Sequence, residues 1–157
     1  MKFYSPEEYQ SSCEELFFWY KSQIEKLVNG ALVEHIGASS IPKAISKGDL
    51  DIFVGVPNIE LESTVRVLKK LGFQEKADTL RTSELCMLES TSDNDVALQV
   101  VANGSEFECF LEFRDKLRAN EMLVQRYNEL KISCEGLPQE EYRKMKSFFV
   151  EYVLAKT

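Results

Sequence analysis

Asp49 and Asp51 are two carboxylates separated by one residue, directly before a largely apolar run that ends at Val56. In a β-strand alternate side chains point to one face, so these acids would project together, with Cα atoms about 6.6 Å apart. Hard divalent cations such as Mg²⁺ prefer oxygen ligands of this kind. Asp is also disfavoured inside strands, which indicates a functional reason for the pair. The spacing therefore predicts that Asp49 and Asp51 hold Mg²⁺.

Small residues precede the acidic pair at Gly37, Ala38, Ser39 and Ser40, and Lys47 lies closer to the acids. Small side chains let backbone groups approach a phosphate, and a lysine supplies positive charge. A nucleoside triphosphate bound with Mg²⁺ needs both the carboxylates and such a loop. The hydroxyls of Ser39 and Ser40 could equally cap a helical turn or satisfy the loop itself. We therefore predict nucleotide binding at these five residues and leave the role of the two hydroxyls open.

The only histidine of the chain, His35, stands four residues before Ser39. A serine hydrolase would need this histidine as its base, since no other is present. No nucleophile-elbow pattern surrounds Ser39 or Ser40, which argues against that chemistry. We interpret His35 as a hydrogen-bonded strand residue that orients the loop after it.

Basic residues elsewhere in the chain could help to bind phosphates or an acidic substrate. Each could also be ordinary surface charge, and Lys47 is the strongest candidate because it lies next to the carboxylates. The other candidates are Lys43, Arg81, Arg114, Arg118, Lys131 and Lys146.

The motif residues also resemble a known family. Ile36-Gly37-Ala38-Ser39, a spacer and Asp49-Leu50-Asp51-Ile52 resemble the mark of the nucleotidyltransferase superfamily. Within that superfamily the chain is similar to the GrpB family over most of its length. The GrpB resemblance is carried by His35-Ile36-Gly37, Ser40-Ile41-Pro42, Lys47, the segment 113–120 (FRDKLRAN), Tyr127, Leu130, Lys131, Lys146 and Phe149.

Three positions depart from what the family usually shows. The family usually has Gly-Ser where this chain has Gly37-Ala38, so a phosphate-facing hydroxyl must come from Ser39 or Ser40, or is missing. The later family strand usually carries histidines, and the corresponding segment 96–101 has none. Many members have an apolar residue where Asp49 stands, so this chain keeps the full carboxylate pair of the superfamily.

The resemblance implies a third metal ligand on an adjacent strand, because two protein ligands rarely suffice for a metal site. Asp95 is the first choice, since it begins a strand at the place where the superfamily supplies that group. Glu84 and Glu89 are the alternatives, and Gln99 would be a neutral and weaker substitute. With Gln99 in that role, two-metal catalysis of the usual kind would be in doubt.

The implied activity is Mg²⁺-dependent transfer of a nucleoside monophosphate from a nucleoside triphosphate to an unidentified acceptor. Asp49 and Asp51 would hold the ion, and Asp95 would complete the site or align the attacking group. The loop 37–40 would hold the β- and γ-phosphates, with Lys47 nearby. A second hypothesis is a catalytically degenerate module that binds a small metabolite or a protein, because fold alone does not confer chemistry. The altered Gly-Ser step and the missing strand histidines favour this second hypothesis.

The composition is that of an ordinary globular protein, and 157 residues predict one domain over 1–157. A formal net charge of −7 argues against non-specific nucleic-acid binding, which depends on Lys and Arg. The four cysteines lack metal-knuckle or redox spacing and are interpreted as reduced thiols of the cytoplasm. We find no signal peptide and no stretch long enough to span a membrane.

The elements that position these residues can also be predicted. Ser5 and Pro6 begin a helix that ends near Gly30, and Asn58 and Asn120 cap later helices. A helical turn is expected after Ser39 or Ser40. Strands are expected over 31–37, up to 56, 73–76, 82–89 and 96–102, with helices over 105–118, 120–134 and 138–155. This order predicts an α+β fold: a nucleotidyltransferase-like mixed sheet with helices on one face and a C-terminal helical segment.

Overall fold

The computed structural model describes residues 2–156. The helices are α1 (Pro6–Leu27), α2 (Leu61–Lys69), α3 (Cys109–Arg118), α4 (Glu121–Ser133) and α5 (Gln139–Leu154). The strands are β1 (Leu32–Ile36), β2 (Leu50–Val56), β3 (Phe73–Glu75), β4 (Leu85–Ser90) and β5 (Val96–Ala102). A short 3₁₀ turn, Ala38–Ser40, follows β1, and we call it the motif turn.

The strands form one mixed sheet in the order β1-β2-β5-β4-β3. The central strands β2 and β5 are parallel and pair Leu50 with Val96, whereas the other neighbours are antiparallel. Parallel strands need a long crossover, and the chain between β2 and β5 supplies it with α2, β3 and β4. The strands β2 and β5 both alternate side chains between two covered faces, which explains their apolar sequences.

One face of the sheet is covered by α1 and α2. Ile52, Val54 and Leu98 point to this face and pack against apolar side chains of both helices. The start of α1 is fixed locally, because the Glu8 carboxylate accepts hydrogen bonds from the Ser5 N–H at 2.9 Å and from the Ser5 hydroxyl at 2.8 Å. The predicted beginning of this helix at Ser5 and Pro6 is confirmed.

The C-terminal helices cover part of the opposite face. Phe53 and Val101 point there and pack against Phe110 and Leu111 of α3. The helices α4 and α5 pack on α3 around a separate apolar cluster that includes Tyr127. The Asn120 side chain accepts hydrogen bonds from the first turn of α4, which confirms the predicted cap. The face that bears Asp51 is thus the one that the C-terminal segment closes.

The predicted fold class agrees with this architecture, and the differences concern element ends. The motif turn begins directly at Ala38 rather than after Ser39 or Ser40, because Gly37 takes a positive φ of 75° that turns the chain at once. Short 3₁₀ turns occupy Asn58–Glu60 and Glu106–Glu108, so α2 and α3 begin later than expected. The strand predicted over 82–89 is β4, shifted by a turn that joins Thr82 to Leu85. Within residues 2–156, no helix is both long and apolar enough to cross a bilayer.

Candidate functional site

Asp49 and Asp51 lie at the N-terminal end of β2, on the sheet face that the C-terminal helices close. Asp51 is the second residue of β2 and pairs with Ile36 on one side and with Ala97 on the other. Asp49 precedes the strand, and its Oδ1 accepts a 3.2 Å hydrogen bond from the Ser46 hydroxyl. Alternation along the chain places both carboxylates toward the same side.

Gly37 packs directly against the Asp51 carboxylate. Its φ of 75° and ψ of −179° belong to a region that side chains other than glycine rarely adopt. A Cβ added at this position would lie 3.1 Å from Asp51 Cγ and closer still to a carboxylate oxygen. The glycine at position 37 therefore lets the motif turn and the acidic pair approach each other.

The two acids and Gly37 line one cavity of about 300 Å³, which we call the front cavity. This volume is at the lower end of what small-molecule sites have. From the sheet side it is lined by Gly37, Ala38, Lys47, Asp49, Asp51 and Gln99. From other elements it is lined by Lys76, Tyr127, Tyr142, Arg143 and Lys146, among others. Carboxylates and cations therefore face one another across a single space.

The surroundings of Asp51 disfavour the ionised form of its carboxyl group. Burial, and after it the neighbouring Asp49, raise the pKa of Asp51 to about 7, although Lys146 and Lys76 act in the other direction. The carboxyl thus titrates near neutral pH, and a cation beside it would favour the ionised form. A carboxyl with a pKa shifted this far, in a cavity, is a common sign of a functional site.

Two lysines of the C-terminal helices approach the same acids. Lys131 of α4 is buried, donates a 2.6 Å hydrogen bond to the Ile45 carbonyl and lies 3.9 Å from the centre of the Tyr127 ring. Burial, and after it the nearby Lys146, lower the pKa of Lys131 to about 7. The pKa of Lys146 is raised instead, first by Tyr127 and then by Tyr142 and Asp51. Both lysines line a smaller cavity of about 50 Å³ together with Asp49 and Asp51.

The third metal ligand is the least defined part of the site. Ala97, which has no oxygen in its side chain, is the register partner of Asp51 on β5. Asp95 stands one position before the Leu50–Val96 pair, beside Asp49, and its carbonyl accepts the Leu50 N–H at 2.9 Å. Burial and then Asp49 raise the pKa of Asp95, but its side chain is exposed and does not line the front cavity. Among the described residues, no group of three or more His, Cys, Asp or Glu side chains could hold a metal.

Gln99 offers a neutral oxygen at this place. It lies on β5 on the same face as Asp51 and lines the front cavity. Its Oε1 atom is buried and has no hydrogen-bond partner within residues 2–156. A buried acceptor without a partner calls for an explanation, and a bound cation or ligand donor would supply one.

The predicted residues Ser39 and Ser40 lie on the other side of the motif turn. The Ser39 hydroxyl is 2.8 Å from Nε2 of His35, and the Ser40 hydroxyl donates a 2.6 Å hydrogen bond to the Gly37 carbonyl. His35 is thus a strand residue bonded to the motif turn, which confirms its predicted role. Both serines line a second cavity of about 330 Å³, which we call the back cavity. The structure brings Gly37, Ala38, Lys47 and the acidic pair together, and it leaves Ser39, Ser40 and Asp95 outside the front cavity.

The other predicted basic residues mostly have partners elsewhere. Lys43 pairs with Glu121 at 2.7 Å, and both side chains are largely exposed. Arg81 pairs with Glu62 and Glu75 near the far edge of the sheet. These two residues therefore belong to the surface, whereas Lys47, Lys131 and Lys146 face the acidic pair.

The sequence-based prediction missed several residues of the front cavity. Tyr142 and Arg143 lie on the same face of α5 as Lys146, at spacings of four and three residues. This helical spacing could have identified them once Lys146 was a candidate. Lys76 follows β3, the strand farthest from β1, and no local pattern connects it with the acidic pair.

A family profile described as GrpB protein matches residues 7–156 of this chain. The chain belongs to the GrpB family. The resemblance drawn from the motif residues is therefore confirmed. The UPF0157 protein VC_A0354 of Vibrio cholerae is 64% identical over 156 residues, covering 99% of this chain and 83% of that protein. The UPF0157 protein BH1888 of Halalkalibacterium halodurans is 34% identical over 149 residues, covering 90% and 72% respectively.

A solved GrpB structure shares the fold. The GrpB protein of Enterococcus faecalis matches with a TM-score of 0.72 and 19% identity, covering 96% of this chain and 98% of that one. The fold class predicted from the resemblance is confirmed by this match together with the architecture described above. The Cid1 poly(U) polymerase is a more distant match, with a TM-score of 0.48 and 12% identity over 77% of this chain and 37% of that one.

Proposed function

We propose that this GrpB-family protein is a Mg²⁺-dependent nucleotidyltransferase that moves a nucleoside monophosphate from a nucleoside triphosphate to an unidentified acceptor. One observation carries the proposal: Asp49 and Asp51 share a cavity with Lys47, Lys76 and Lys146, which come from separate elements. A metal-bound triphosphate needs carboxylates on one side and cations on the other. The front cavity offers both within about 300 Å³.

The side chains in the front cavity fit a magnesium ion. Asp49 and Asp51 would hold it, and the unpartnered Oε1 of Gln99 is a neutral oxygen suited to the same donor set. A bound ion of this kind offsets phosphate charge and polarises a phosphoryl oxygen. Asp95, beside Asp49 but outside the front cavity, remains the proposed group that completes the site or aligns the attacking group.

The phosphates would lie between the motif turn and α5. Gly37 and Ala38 present a surface with little side chain, which lets a phosphate approach the backbone. Lys47 and Lys146 supply charge from opposite walls of the cavity. Ser39 and Ser40 remain proposed phosphate contacts. Because both hydroxyls and the Ser40 N–H already bond to the protein, the contact would use the backbone N–H of Ser39.

In the proposed reaction, a hydroxyl or phosphate of the acceptor attacks the α-phosphorus in line with the leaving group. A new P–O bond to the acceptor forms, the bond between the α-phosphorus and the α–β bridging oxygen breaks, and pyrophosphate leaves with that oxygen. Where the attacking group is a hydroxyl, its proton would pass to Asp95 or to solvent. The chain's contribution is to hold the triphosphate and exclude water, for which α5 forms the outer wall of the cavity. We also propose that the protein works in the cytoplasm, where its four free cysteines stay reduced.

The Asp51→Asn substitution tests this proposal. We expect it to abolish Mg²⁺-dependent nucleotide binding while the protein stays folded, because the change keeps the shape of the side chain and removes its charge. Calorimetric titration with Mg-ATP would measure binding, and circular dichroism would check the fold. Asp93→Asn is the matched control, since Asp93 is an exposed carboxylate in the turn between β4 and β5. Equal Mg-ATP binding by Asp51→Asn and the unmodified protein would reject the proposed site.

A second candidate function is a catalytically degenerate module that binds a small metabolite or a protein. Ala97 in the register position beside Asp51 favours it, because a carboxylate there would complete a three-acid site. A thermal-shift screen separates the two candidates. Stabilisation by nucleotides only with Mg²⁺ supports the transferase, and indifference to every nucleotide supports the module.

A further inference from the structure

The back cavity is separate from the proposed nucleotide site, although both touch the motif turn. It has a volume of about 330 Å³ and lies beside β1, the edge strand of the sheet. Its walls come from α1, from β1 and the motif turn, and from α3. The charged side chains that face it are Glu14, Lys21, Glu34, Arg114 and Arg118. No part of the proposed transferase reaction uses this space.

The two arginines of α3 differ in how far their charge is balanced. Arg114 is buried, lies 3.0 Å from Asp115 and 3.6 Å from Glu34, and donates to the His35 carbonyl at 3.1 Å. Arg118, one helical turn later, uses Nε to donate a 2.9 Å hydrogen bond to the Ser40 carbonyl. Within residues 2–156, no ion pair joins Arg118 to a carboxylate. Its two terminal nitrogens are therefore available to a ligand.

The two arginines also contribute to pKa shifts in this cavity. Burial, and after it the charges of Arg118 and Arg114, together lower the pKa of His35 to about 4. Burial also lowers the pKa of Arg118, and repulsion from Arg114 adds to this effect. An anion beside Arg118 would offset the part of both changes that comes from repulsion between positive charges. The Ser39 hydroxyl, bonded to His35 at 2.8 Å, provides a second polar group on the cavity wall.

We propose that the back cavity binds the oxyanion of a small ligand, a phosphate or a carboxylate, with the Arg118 guanidinium as its principal contact. The planar guanidinium suits two parallel hydrogen bonds to such an anion. Phe18 of α1 is 58% exposed, lines the same cavity and offers an apolar surface to the rest of the ligand. The cavity is large enough for a small organic molecule rather than an ion alone.

The single histidine makes the test direct, because the imidazole proton signal of His35 needs no assignment in a one-dimensional NMR spectrum. Inorganic phosphate and succinate would be titrated separately, up to about 20 mM. This concentration would nearly saturate a site with a Kd of about 1 mM. We expect one of the two anions to shift this signal in the unmodified protein, and the responding anion identifies the chemical class. Bound anion should also raise the pKa of His35, since it offsets the charge of Arg118.

Substitutions test whether the anion that shifts the His35 signal binds beside Arg118. Arg118→Gln should abolish the shift, whereas Arg66→Gln, which removes an exposed arginine on α2, should retain it. Lys47→Ala should also retain it, which separates this site from phosphate bound in the front cavity. If Arg118→Gln fails to fold, Arg118→Lys keeps the charge and should bind the anion about fivefold more weakly, having lost the bidentate geometry. The proposal is overturned if neither anion shifts the signal, or if the shift persists in Arg118→Gln or is unchanged in Arg118→Lys.

Discussion

The front and back cavities lie on opposite sides of a turn of three residues, Ala38–Ser40, and each has a titratable group whose pKa is shifted, in opposite directions in the two places. In the front cavity a carboxyl, Asp51, has a raised pKa although cations surround it. In the back cavity an imidazole, His35, has a pKa that is lowered mainly by burial and in smaller part by the two arginines that face it. Burial favours the neutral form in both places.

One short segment, residues 37–40, contributes to the walls of both cavities. Gly37 and Ala38 line the front cavity, and Ser39 and Ser40 line the back one. A tight turn directs consecutive residues to different sides, so neighbours in sequence need not share a function. A hydroxyl predicted from the sequence to face a phosphate can therefore point away from it. Single substitutions that alter one cavity and leave the other intact test this division.

The largest effect is expected from Gly37→Ala, which should remove Mg-ATP binding and lower stability. A Cβ at this position meets the Asp51 carboxylate, and the backbone region itself costs about 1–3 kcal/mol for a residue other than glycine. Gly30→Ala is the matched control, because Gly30 also has a positive φ and no atom lies within 4 Å of its added Cβ. Urea unfolding and calorimetry would measure both variants. Equal nucleotide binding by the two would show that contact with Asp51 does not matter.

Lys47→Ala should weaken Mg-ATP binding about tenfold, because a hydrogen bond to a charged group is typically worth about 1.5–3 kcal/mol. Lys43→Ala is its control on the same loop, since Lys43 lies outside the front cavity and pairs with exposed Glu121. Calorimetry should find the control unchanged. A similar loss in both variants would indicate general electrostatic attraction rather than a specific contact.

Lowering the pH should change the contributions of Asp51 and His35 to the free energy of unfolding in opposite directions. Between pH 3.8, its ordinary pKa, and about pH 7, Asp51 is more protonated in the native state than in the unfolded state. Its contribution to stability is therefore lost as the pH rises through this range. His35 binds fewer protons in the native state between about 4 and 6.5, so its contribution is lost as the pH falls. One proton changes the free energy of unfolding by at most about 1.4 kcal/mol per pH unit.

Urea unfolding at about pH 5 and about pH 8 would measure these contributions. Relative to the unmodified protein, Asp51→Asn should gain stability as the pH rises, and His35→Gln should gain it as the pH falls. Parallel pH profiles for the two variants would contradict the difference between the cavities.

The smallest change is expected from Ala38→Ser, which restores the step that the GrpB family usually shows. Ala38 lines the front cavity, so a hydroxyl there could donate to a phosphate and tighten Mg-ATP binding about threefold. Ser39→Ala is the comparison, because it removes a hydroxyl that bonds to His35 in the back cavity. Calorimetry should find binding unchanged in Ser39→Ala, and unchanged binding in Ala38→Ser as well would show that a hydroxyl at position 38 does not reach the phosphates.

Local interactions explain what was predicted correctly. The capping box of Ser5 and Glu8 and the cap at Asn120 involve residues three or fewer positions apart, so the sequence contains the whole signal. The strands β2 and β5 are marked by their apolar residues, and the acidic pair by its two-residue spacing. The residues at which α2 and α3 begin were missed because 3₁₀ turns share the preferences of a first helical turn.

Long-range packing explains the rest of the candidate site. Lys76, Gln99 and Arg143 meet the acidic pair only because the sheet order and the docking of α5 bring distant segments together. The register of β2 against β5, which places Ala97 beside Asp51 and Asp95 beside Asp49, depends on cross-strand hydrogen bonds. One residue of slip would exchange the two faces of a strand.

The sequence by itself determined the family, the elements and the pair of acids, because these depend on residue types at short spacings. The tertiary structure decided which cations face Asp51, on which side of the motif turn each serine lies, and that Arg118 has no acidic partner within residues 2–156. These features depend on contacts between residues far apart in the chain, which folding alone brings within hydrogen-bonding distance.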